Sequence, residues 1–350
     1  MEQISNDKGE CQKESLSTES SLFRDKAKGC IFGALIGDAT GAPLEFDRSL
    51  NKTKIENALK MKGGGFIKIG PGQITDDGEL TLCLFQGLHE SKGKLNPDHI
   101  CLYYGKWLGS PPFDIGNTTR KGLGPARAKS GPISKNCHLA SETKNKTSVS
   151  NGSTMRMSPI AVWVSKLPIK DLKKAITIDT KHTHCHNQVI DCNITFALAI
   201  KELLKGVPSK EAYDYAIDFG KNSSIKDWID EMENGNFQNP KIKIGWVKIA
   251  FQIAFHFLRQ ELGFLESLKQ VVSYGGDTDT NACITGMLLG ARDGLSGLPS
   301  ESLKKVMKWD NFKGHKRPKF LIPKYVLTEK KLEEFLDNVP EKLSIDMNKA

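Results

Sequence analysis

Apolar residues recur every three to four positions along most of the chain, a spacing that places them on one face of an α-helix. The first such segment starts at Phe23 and ends near Asp38, shortly before Pro43. Further segments with this pattern span 80–88, 100–108, 155–164, 169–178, 188–204, 210–219, 242–258, 264–272, 279–289, 303–309 and 329–336. Alternation typical of a strand is scarce, and residues 65–69 are its best candidate. The pattern therefore predicts a compact, all-α domain of many helices.

Two stretches of the chain lack this periodicity. Residues 1–21 are polar, and we expect them to form a disordered leader ahead of a single domain that spans 22–350. Residues 109–152 are rich in Gly, Pro, Ser, Asn and Lys, which predicts a long loop with one turn of helix at most. Loops of that length are usually functional or disordered.

Composition excludes several classes of protein. The 350 residues are 38% hydrophobic and 26% charged, which is typical of a soluble globular protein with a sizeable core. No apolar run approaches the length of a membrane span, and the N-terminus is neither a secretory signal nor an Arg-rich transit peptide. The eight cysteines are scattered without a CxxC motif, as in reduced proteins. We therefore predict an intracellular, cytoplasmic monomer without a membrane partner.

The net charge of +9 has two interpretations. A basic chain attracts phosphate, so nucleic-acid binding is one of them. However, the lysines are spread along the whole sequence, and no dense basic block is interleaved with aromatic residues. We favour a lysine-rich surface that accepts a small anionic ligand, and we expect no nucleic-acid partner.

Two short acidic runs stand out: 74–79 reads Ile-Thr-Asp-Asp-Gly-Glu and 275–280 reads Gly-Gly-Asp-Thr-Asp-Thr. Hard divalent cations bind clusters of carboxylate and hydroxyl oxygens. Each run also precedes an apolar helix, so helix capping is the alternative interpretation, although it accounts poorly for adjacent acids. The glycine pair indicates an unusual backbone φ or a close approach. If the fold joins the runs, four Asp and two Thr form a magnesium- or manganese-type site.

Two further segments are candidates for ligand binding. The first is 33–45, where Pro43 ends the helix and leaves Glu45 on a constrained turn suited to a catalytic or ligating carboxylate. Its alternative interpretation is a packed helix terminus with Asp38 solvated. The second is 151–159, whose glycine and serine precede a helix and would leave amides open to phosphate. An ordinary capped helix is the alternative there, and Arg156 suits either a phosphate or a carboxylate.

Histidines and one acid complete the candidates. His182, His184 and His186 suggest zinc, but the cysteine pairs that would complete such a site are absent from the sequence. We prefer a histidine that lines a polar pocket, with His184 the best placed. Asp114 lies in a turn-rich polar run and is either a general acid or base or a helix cap.

Taken in order, these segments resemble the ADP-ribosylglycohydrolase family, which includes ADP-ribosylarginine hydrolases and dinitrogenase reductase-activating glycohydrolases. The motifs are GDAxGxPxE, TDD, DIGNTT, NGxxMRxxP, TH and GGDTDT, from about Gly29 to about Pro318. The resemblance implies an all-α fold with a binuclear Mg²⁺ or Mn²⁺ centre in a cleft. It implies these metal ligands: Glu45, Thr75, Asp76, Asp77, Asp277, Asp279 and Thr280. It implies substrate contacts by Asn151, Gly152, Ser153, Met155, Arg156 and His184, with Asp114 near the site.

The chain departs from the family's motifs at two positions. The family often has TDDT or TDDS, whereas this chain has Gly78, and Ser150 replaces the first glycine of GNG. If the side chain at position 78 bound metal or held a ligand water, its loss would alter the surroundings of the metal. Neither change removes a ligating carboxylate, so we expect an active enzyme.

The implied reaction is metal-dependent cleavage of the glycosidic bond between ADP-ribose and an acceptor such as arginine in a protein. Such cleavage passes through an oxocarbenium-like state, and Glu45, Asp76 and Asp77 are the candidates for the general base. The alternatives are an ADP-ribose-binding module without turnover, a hydrolase of a small ADP-ribose conjugate, and a two-metal phosphoryl hydrolase. The sequence determines neither the acceptor linkage nor the choice between Mg²⁺ and Mn²⁺.

Overall fold

The all-α prediction is confirmed by the computed structural model, which describes the backbone of residues 3–128 and 131–346 and the side chains of 18–128 and 131–346. The helices are α1 (Gln3–Gly41), α2 (Lys52–Leu59), α3 (Asp76–Glu90), α4 (Pro97–Gly109), α5 (Asn117–Leu123), α6 (Ile133–Lys144), α7 (Ser158–Trp163), α8 (Ile169–Lys181), α9 (Asn187–Leu204), α10 (Ser209–Lys221), α11 (Lys226–Glu233), α12 (Val247–Leu258), α13 (Phe264–Ser273), α14 (Thr278–Asp293), α15 (Ser300–Lys308), α16 (Pro323–Val326) and α17 (Glu329–Asp337). Between the described residues, β-pairing is limited to isolated bridges.

Helices α1 and α14 run antiparallel at the centre of the fold and touch along a seam of glycines. A Cβ atom on Gly33 would lie 2.2 Å from the carbonyl oxygen of Gly286, and one on Gly286 would lie 2.2 Å from the oxygen of Gly33. At Gly37 the clash would be with the oxygen of Ala282, at 2.0 Å. The four-residue spacing of these glycines places them on one helix face, so the backbones approach closely. The seam fixes the end of α1 beside the start of α14.

The stretch 109–152 is not the long loop that we predicted. It contains α5, a 3-10 turn at Gly124–Ala128, and α6. Ile133, Cys137 and Ala140 are buried on α6 at helical spacing, and the first two pack with Cys101 of α4. Three small or medium apolar residues were enough to anchor the helix, but they were too few to stand out among polar neighbours. This prediction was therefore wrong.

The strand expected at 65–69 is also absent, since these residues form turns with one bridge between Gly64 and Ile69. Gly64, Gly65 and Lys68 have positive φ angles of 97°, 76° and 54°, which an extended strand does not tolerate. Helices α2 and α11 were not anticipated, and the helices predicted at 155 and 242 begin later, at Ser158 and Val247.

The N-terminal segment differs from the expected disorder, because α1 extends back to Gln3. The domain boundary that we drew at residue 22 stays a prediction. None of the helices in the described part of the chain has both the length and the apolar character needed to cross a bilayer. The cysteines whose side chains are described are unpaired thiols, and all but Cys185 are buried.

Candidate active site

A cavity of about 470 Å³ opens where the N-termini of α3 and α14 meet the loops around residues 45, 115, 151 and 245. Its acidic lining residues are Glu45, Asp76, Asp77, Asp114, Asp277 and Asp279. The structure thus brings the two acidic runs together. The hydroxyl group of Thr280 donates a hydrogen bond of 3.3 Å to Asp77 Oδ2, which joins one run to the other.

The carboxylates of Glu45, Asp277 and Asp279 are the most closely grouped, since one oxygen of each lies within 4.8 Å of the others. Glu45 Oε2 and Asp77 Oδ1 are buried and have no hydrogen-bond partner among the described residues. The cavity lining in this described part includes no lysine or arginine. Buried carboxylates without a protein counter-charge form an oxygen-only set of the kind that hard divalent cations bind, so these residues fit such a metal.

The pKa values of these acids reflect their crowding. Burial, followed by the charges of Asp114 and Asp277, raises the pKa of Glu45 to about 9. Burial and neighbouring carboxylates also raise the pKa values of Asp76 and Asp279 well above the ordinary range. Uncompensated like charges in a poorly solvated site favour the protonated forms. A bound cation would reverse this preference and keep the carboxylates ionised.

The N-terminus of α14 leaves its acids available to the cavity. Asp277 occupies the N-cap position, but its side chain makes no capping hydrogen bond. Instead, its Oδ2 accepts a hydrogen bond of 2.8 Å from Asn151 Nδ2. Gly275 and Gly276 both have positive φ angles, and a Cβ atom on Gly276 would lie 2.1 Å from the oxygen of Pro240. Both features that we expected of the glycine pair, unusual φ and close approach, are present.

The N-terminus of α3 is capped by Thr75, whose side chain accepts from the amide of Asp77. Thr75 is fully buried and also donates its hydroxyl to Asp38, so this predicted metal ligand stands behind the cavity wall. One interpretation of the sequence placed Asp38 in solvent, but Asp38 has no exposed surface, so that interpretation is wrong. Asp38 is therefore a functional candidate that the sequence analysis missed.

Glu79, the last acid of the first run, is held by an ion pair outside the cavity lining. Its carboxylate accepts two hydrogen bonds from the guanidinium of Arg317, at 2.6 and 2.9 Å, and one of 2.7 Å from Trp107 Nε1. Arg317 also donates to the backbone oxygens of Ser110 and Pro111. This buried ion pair therefore ties α3 to the segment that carries Asp114.

The loop at 151–156 contributes one wall of the cavity through Asn151, Gly152 and Met155. Gly152 packs closely against α5, because a Cβ atom on it would lie 2.8 Å from Thr119 Oγ1. Ser153 is fully buried, and its hydroxyl accepts a hydrogen bond from Asn193. Of the substrate contacts predicted in this loop, only Asn151, Gly152 and Met155 line the cavity.

Arg156 faces away from the cavity and supports the loop from behind. Its guanidinium donates to the oxygen of Gly152 at 3.1 Å, to Thr183 Oγ1 at 3.0 Å and to the oxygen of Asp179 at 3.1 Å, and it pairs with the carboxylate of Asp179. It lies over the ring of Tyr104 and has no exposed surface. Of the two partners considered for Arg156, the structure shows the carboxylate.

The histidines also lie behind the wall. His184 is fully buried, and its ring nitrogens hydrogen-bond to Ser150 Oγ and Thr183 Oγ1. Burial, together with the charge of Arg156, lowers the pKa of His184 to about 3, so its ring is neutral. His182 contacts Ser134 and Asp179. Among the described residues, the carboxylates of Glu45, Asp277 and Asp279 are the only group positioned to hold a metal, which argues against zinc at these histidines.

The mouth of the cavity combines Asp114 with exposed apolar side chains. Asp114 is half-buried, and burial raises its pKa. Phe46 follows Glu45 with a φ angle of 61° and is 50% exposed, while its ring packs edge-on against Phe66, which is 77% exposed. Ile244 also lines the cavity and is 52% exposed.

The sequence matches the model of the ADP-ribosylglycohydrolase family over residues 19–332. ADP-ribosyl-[dinitrogen reductase] glycohydrolase of Rhodospirillum rubrum is 30% identical over 289 residues, which cover 81% of this chain and 90% of the relative. ADP-ribosylarginine hydrolase Tri1 of Pseudomonas putida (strain GB-1) is 27% identical over 303 residues, which cover 83% of this chain and 76% of the relative. A solved ADP-ribosylglycohydrolase-related protein complex shares the fold, with a TM-score of 0.69 and 23% identity across 91% of this chain and 98% of that chain.

Proposed function

The chain belongs to the ADP-ribosylglycohydrolase family, and from this premise we propose that it is a metal-dependent hydrolase that releases ADP-ribose from an acceptor. The bond cleaved is the glycosidic bond between ADP-ribose and a side chain such as arginine in a protein. The observation that carries the proposal is the carboxylate cluster, in which Glu45, Asp277 and Asp279 crowd together without a protein counter-charge. Relatives named for arginine and for dinitrogen reductase support a protein acceptor.

Magnesium, with manganese as the other candidate, is the cofactor that suits this site. The residues that would hold two ions are Glu45, Asp76, Asp77, Asp277, Asp279 and Thr280. Thr75 hydrogen-bonds to Asp38 and caps α3, so it supports them from behind. Bound divalent cations would supply Lewis-acid stabilisation and orientation for the hydroxyl groups of a ribose.

The cavity wall at Asn151, Gly152 and Met155 is the surface on which we place ADP-ribose. Gly152 presents backbone without a side chain there, which lets a phosphate or sugar approach closely. The amide of Asn151 is held by Asp277, so this wall is fixed relative to the carboxylates. Arg156 and His184 set the shape of the same wall from the protein interior rather than by direct contact.

Glu45 is our candidate for the general base. It lies on the turn after Pro43, lines the cavity, and has one carboxylate oxygen without a partner among the described residues. A base must reach the water that attacks the anomeric carbon, and a carboxylate free on one side satisfies that geometry. Asp114, half-buried at the mouth, is the candidate acid nearest to a departing acceptor. The pH–rate profiles of Glu45→Gln and Asp114→Asn separate the two roles.

The experiment that tests the function measures ADP-ribose release from arginine-linked and serine-linked substrates, with magnesium and with EDTA. Asp279→Asn is the test variant, and Asp293→Asn, at the other end of α14 and paired with Arg292, is its matched control. We expect release from one linkage that requires the metal, is lost in Asp279→Asn and persists in Asp293→Asn.

Other outcomes of this experiment would support the alternative functions or contradict the proposed site. If the protein binds ADP-ribose but releases it from no conjugate, it is a binding module and not an enzyme. Formation of AMP and ribose phosphate would instead indicate a two-metal phosphoryl hydrolase. Release that is insensitive to EDTA and to Asp279→Asn would contradict the role we give to the carboxylate cluster.

A further inference from the structure

Asp38 is the buried acid at the centre of the site that does not line the cavity. It lies on the last turns of α1 and has no exposed surface. Its donors among the described residues are the amide and hydroxyl groups of Thr75, the N-cap of α3, and the amide of Gly78. Buried carboxylates are rare unless their acceptor capacity is used.

Those donors are all at the start of α3. The amide of Thr75 donates to Asp38 Oδ2 at 2.9 Å, the hydroxyl of Thr75 donates to Oδ1 at 2.9 Å, and the amide of Gly78 donates to Oδ2 at 2.9 Å. The first amides of a helix lack intrahelical partners, and acidic side chains commonly satisfy them. Because Asp38 and Thr75 supply those acceptors, Asp76 and Asp77 are not needed as caps. Their carboxylates are left to line the cavity.

Asp38 also connects the two halves of the carboxylate cluster. Its helix, α1, is held against α14 by the glycine seam, and Thr278 Oγ1 donates to the oxygen of Gly41 at 2.9 Å. Helix α14 carries Asp277 and Asp279, whereas α3 carries the other two aspartates. Through Asp38, the start of α3 is therefore fixed to the same α1–α14 unit that sets the position of the second acidic run.

Gly78 makes this arrangement possible in this chain. A Cβ atom at position 78 would lie 2.7 Å from Asp38 Oδ2 and 2.8 Å from two side-chain carbons of Ile74. Position 78 therefore faces Asp38 and not the cavity. The departure from the family's TDDT or TDDS pattern changes how α3 packs on Asp38, and it removes no group from the cavity wall.

We propose that Asp38 is a positioning residue for the metal site: its carboxylate binds the N-terminus of α3, with glycine at position 78 leaving room for this contact, and so sets the place of Asp76 and Asp77. Asp38 is not itself a ligand in this arrangement. The inference rests on the proposed function, because it presupposes that the carboxylate cluster binds a divalent cation.

The test compares binding of Mn²⁺ alone to full-length wild-type protein and to Asp38→Asn, by calorimetry, with unfolding midpoints recorded in EDTA. Thr40→Val is the matched control, since Thr40 is equally buried on α1 and, among the described residues, its hydroxyl donates to the oxygen of Ile36 alone. Loss of groups that orient ligands typically costs about 10–100-fold in metal affinity. We expect a rise of that size in the dissociation constant for Asp38→Asn and no change for Thr40→Val.

If Asp38→Asn binds Mn²⁺ with wild-type affinity but has a lowered unfolding midpoint, Asp38 only stabilises the fold. That result would overturn this inference and leave the proposed function intact. If Asp38→Asn does not fold, Gly78→Ala decides, because it keeps Asp38 but drives a methyl group against its carboxylate. Unchanged Mn²⁺ affinity in folded Gly78→Ala would refute the proposal. A wild-type protein that binds no Mn²⁺ would overturn the metal site of the proposed function, and this inference with it.

Discussion

Replacement of Glu45 by glutamine is expected to stabilise the protein in the absence of metal and to weaken its stabilisation by magnesium. The reason is the environment of the Glu45 carboxyl group, which is buried beside Asp114, Asp277 and Asp38 without a neighbouring cation in the lining of the described cavity. Burial is the largest cause of its high pKa, and the charges of these acids add to it. Glutamine has nearly the same shape but no charge to lose.

The magnitude follows from the pKa, which rises from 4.5 in an exposed glutamate to about 9 in the folded protein. Between these values the folded state keeps a proton that the unfolded state has released, so the stability of the folded state falls as pH rises. At about 1.4 kcal/mol per pH unit, the loss between pH 4.5 and pH 7 is about 3 kcal/mol. The stabilising contribution of the proton that Glu45 holds in the folded state is therefore fully present below pH 4.5 and is lost as pH rises through about 9. Glu45→Gln does not suffer this loss.

The assay is urea unfolding of wild type and Glu45→Gln in EDTA, from about pH 5 to about pH 8, the range in which the linkage acts. The stability advantage of the variant should grow with pH. Exposed Glu211→Gln is the control and should show no such trend. Free magnesium at about 100 times its dissociation constant should add about 2.7 kcal/mol to the wild type and less to the variant.

Two results would refute this reasoning. A stability difference between Glu45→Gln and wild type that stays constant with pH would show that Glu45 does not hold a proton in the metal-free fold. Equal stabilisation of the two proteins by magnesium would show that Glu45 is not a ligand.

Three further predictions concern the seam, the ion pair and the mouth. Gly286→Ala places a methyl group 2.2 Å from the oxygen of Gly33 and should lower the unfolding free energy by about 1–3 kcal/mol in urea; undiminished stability would argue against the close helix contact. Arg317→Met removes the ion-pair partner of the buried Glu79 carboxyl group and should cost about 3–5 kcal/mol, much of it regained when Glu79→Gln is added; no recovery in the double variant would contradict the pairing. Phe66→Ala should lower kcat/KM for an ADP-ribosylated protein but not for a small ADP-ribose conjugate, because Phe66 is exposed beside the cavity mouth; equal losses on both substrates would refute acceptor contact.

Much of the fold was accessible from the sequence because helical periodicity is a local property. Long amphipathic segments such as α9 and α12 were predicted near their observed positions. Helix α6 was missed because its apolar face consists of Ile133, Cys137 and Ala140 among polar residues. Its burial depends on α4, which no local pattern reveals. The false strand at 65–69 arose because alternation ignores the positive φ angles of neighbouring glycines.

For the site, the sequence by itself determined which residues are the candidates for the chemistry. Two acidic runs at helix starts, an isolated glutamate after Pro43 and the order of the motifs identified the carboxylates and the family resemblance. These signals are side-chain identities at short spacing, so they survive without coordinates. The sequence likewise shows the glycines at 29, 33 and 37, but it does not show which residues of α14 they contact.

Only the tertiary structure decided which of those residues face the cavity and which support it. Asp38 looked like a solvated helix terminus, and Arg156 and His184 looked like ligand contacts, yet all three are buried behind the wall. The physical reason is that the direction in which a side chain points depends on packing between segments far apart in the chain. Close contact of α1 with α14 brings residues 77 and 280 within hydrogen-bond distance, and the hydrogen bonds of Asp38 to α3 fix the carboxylates there.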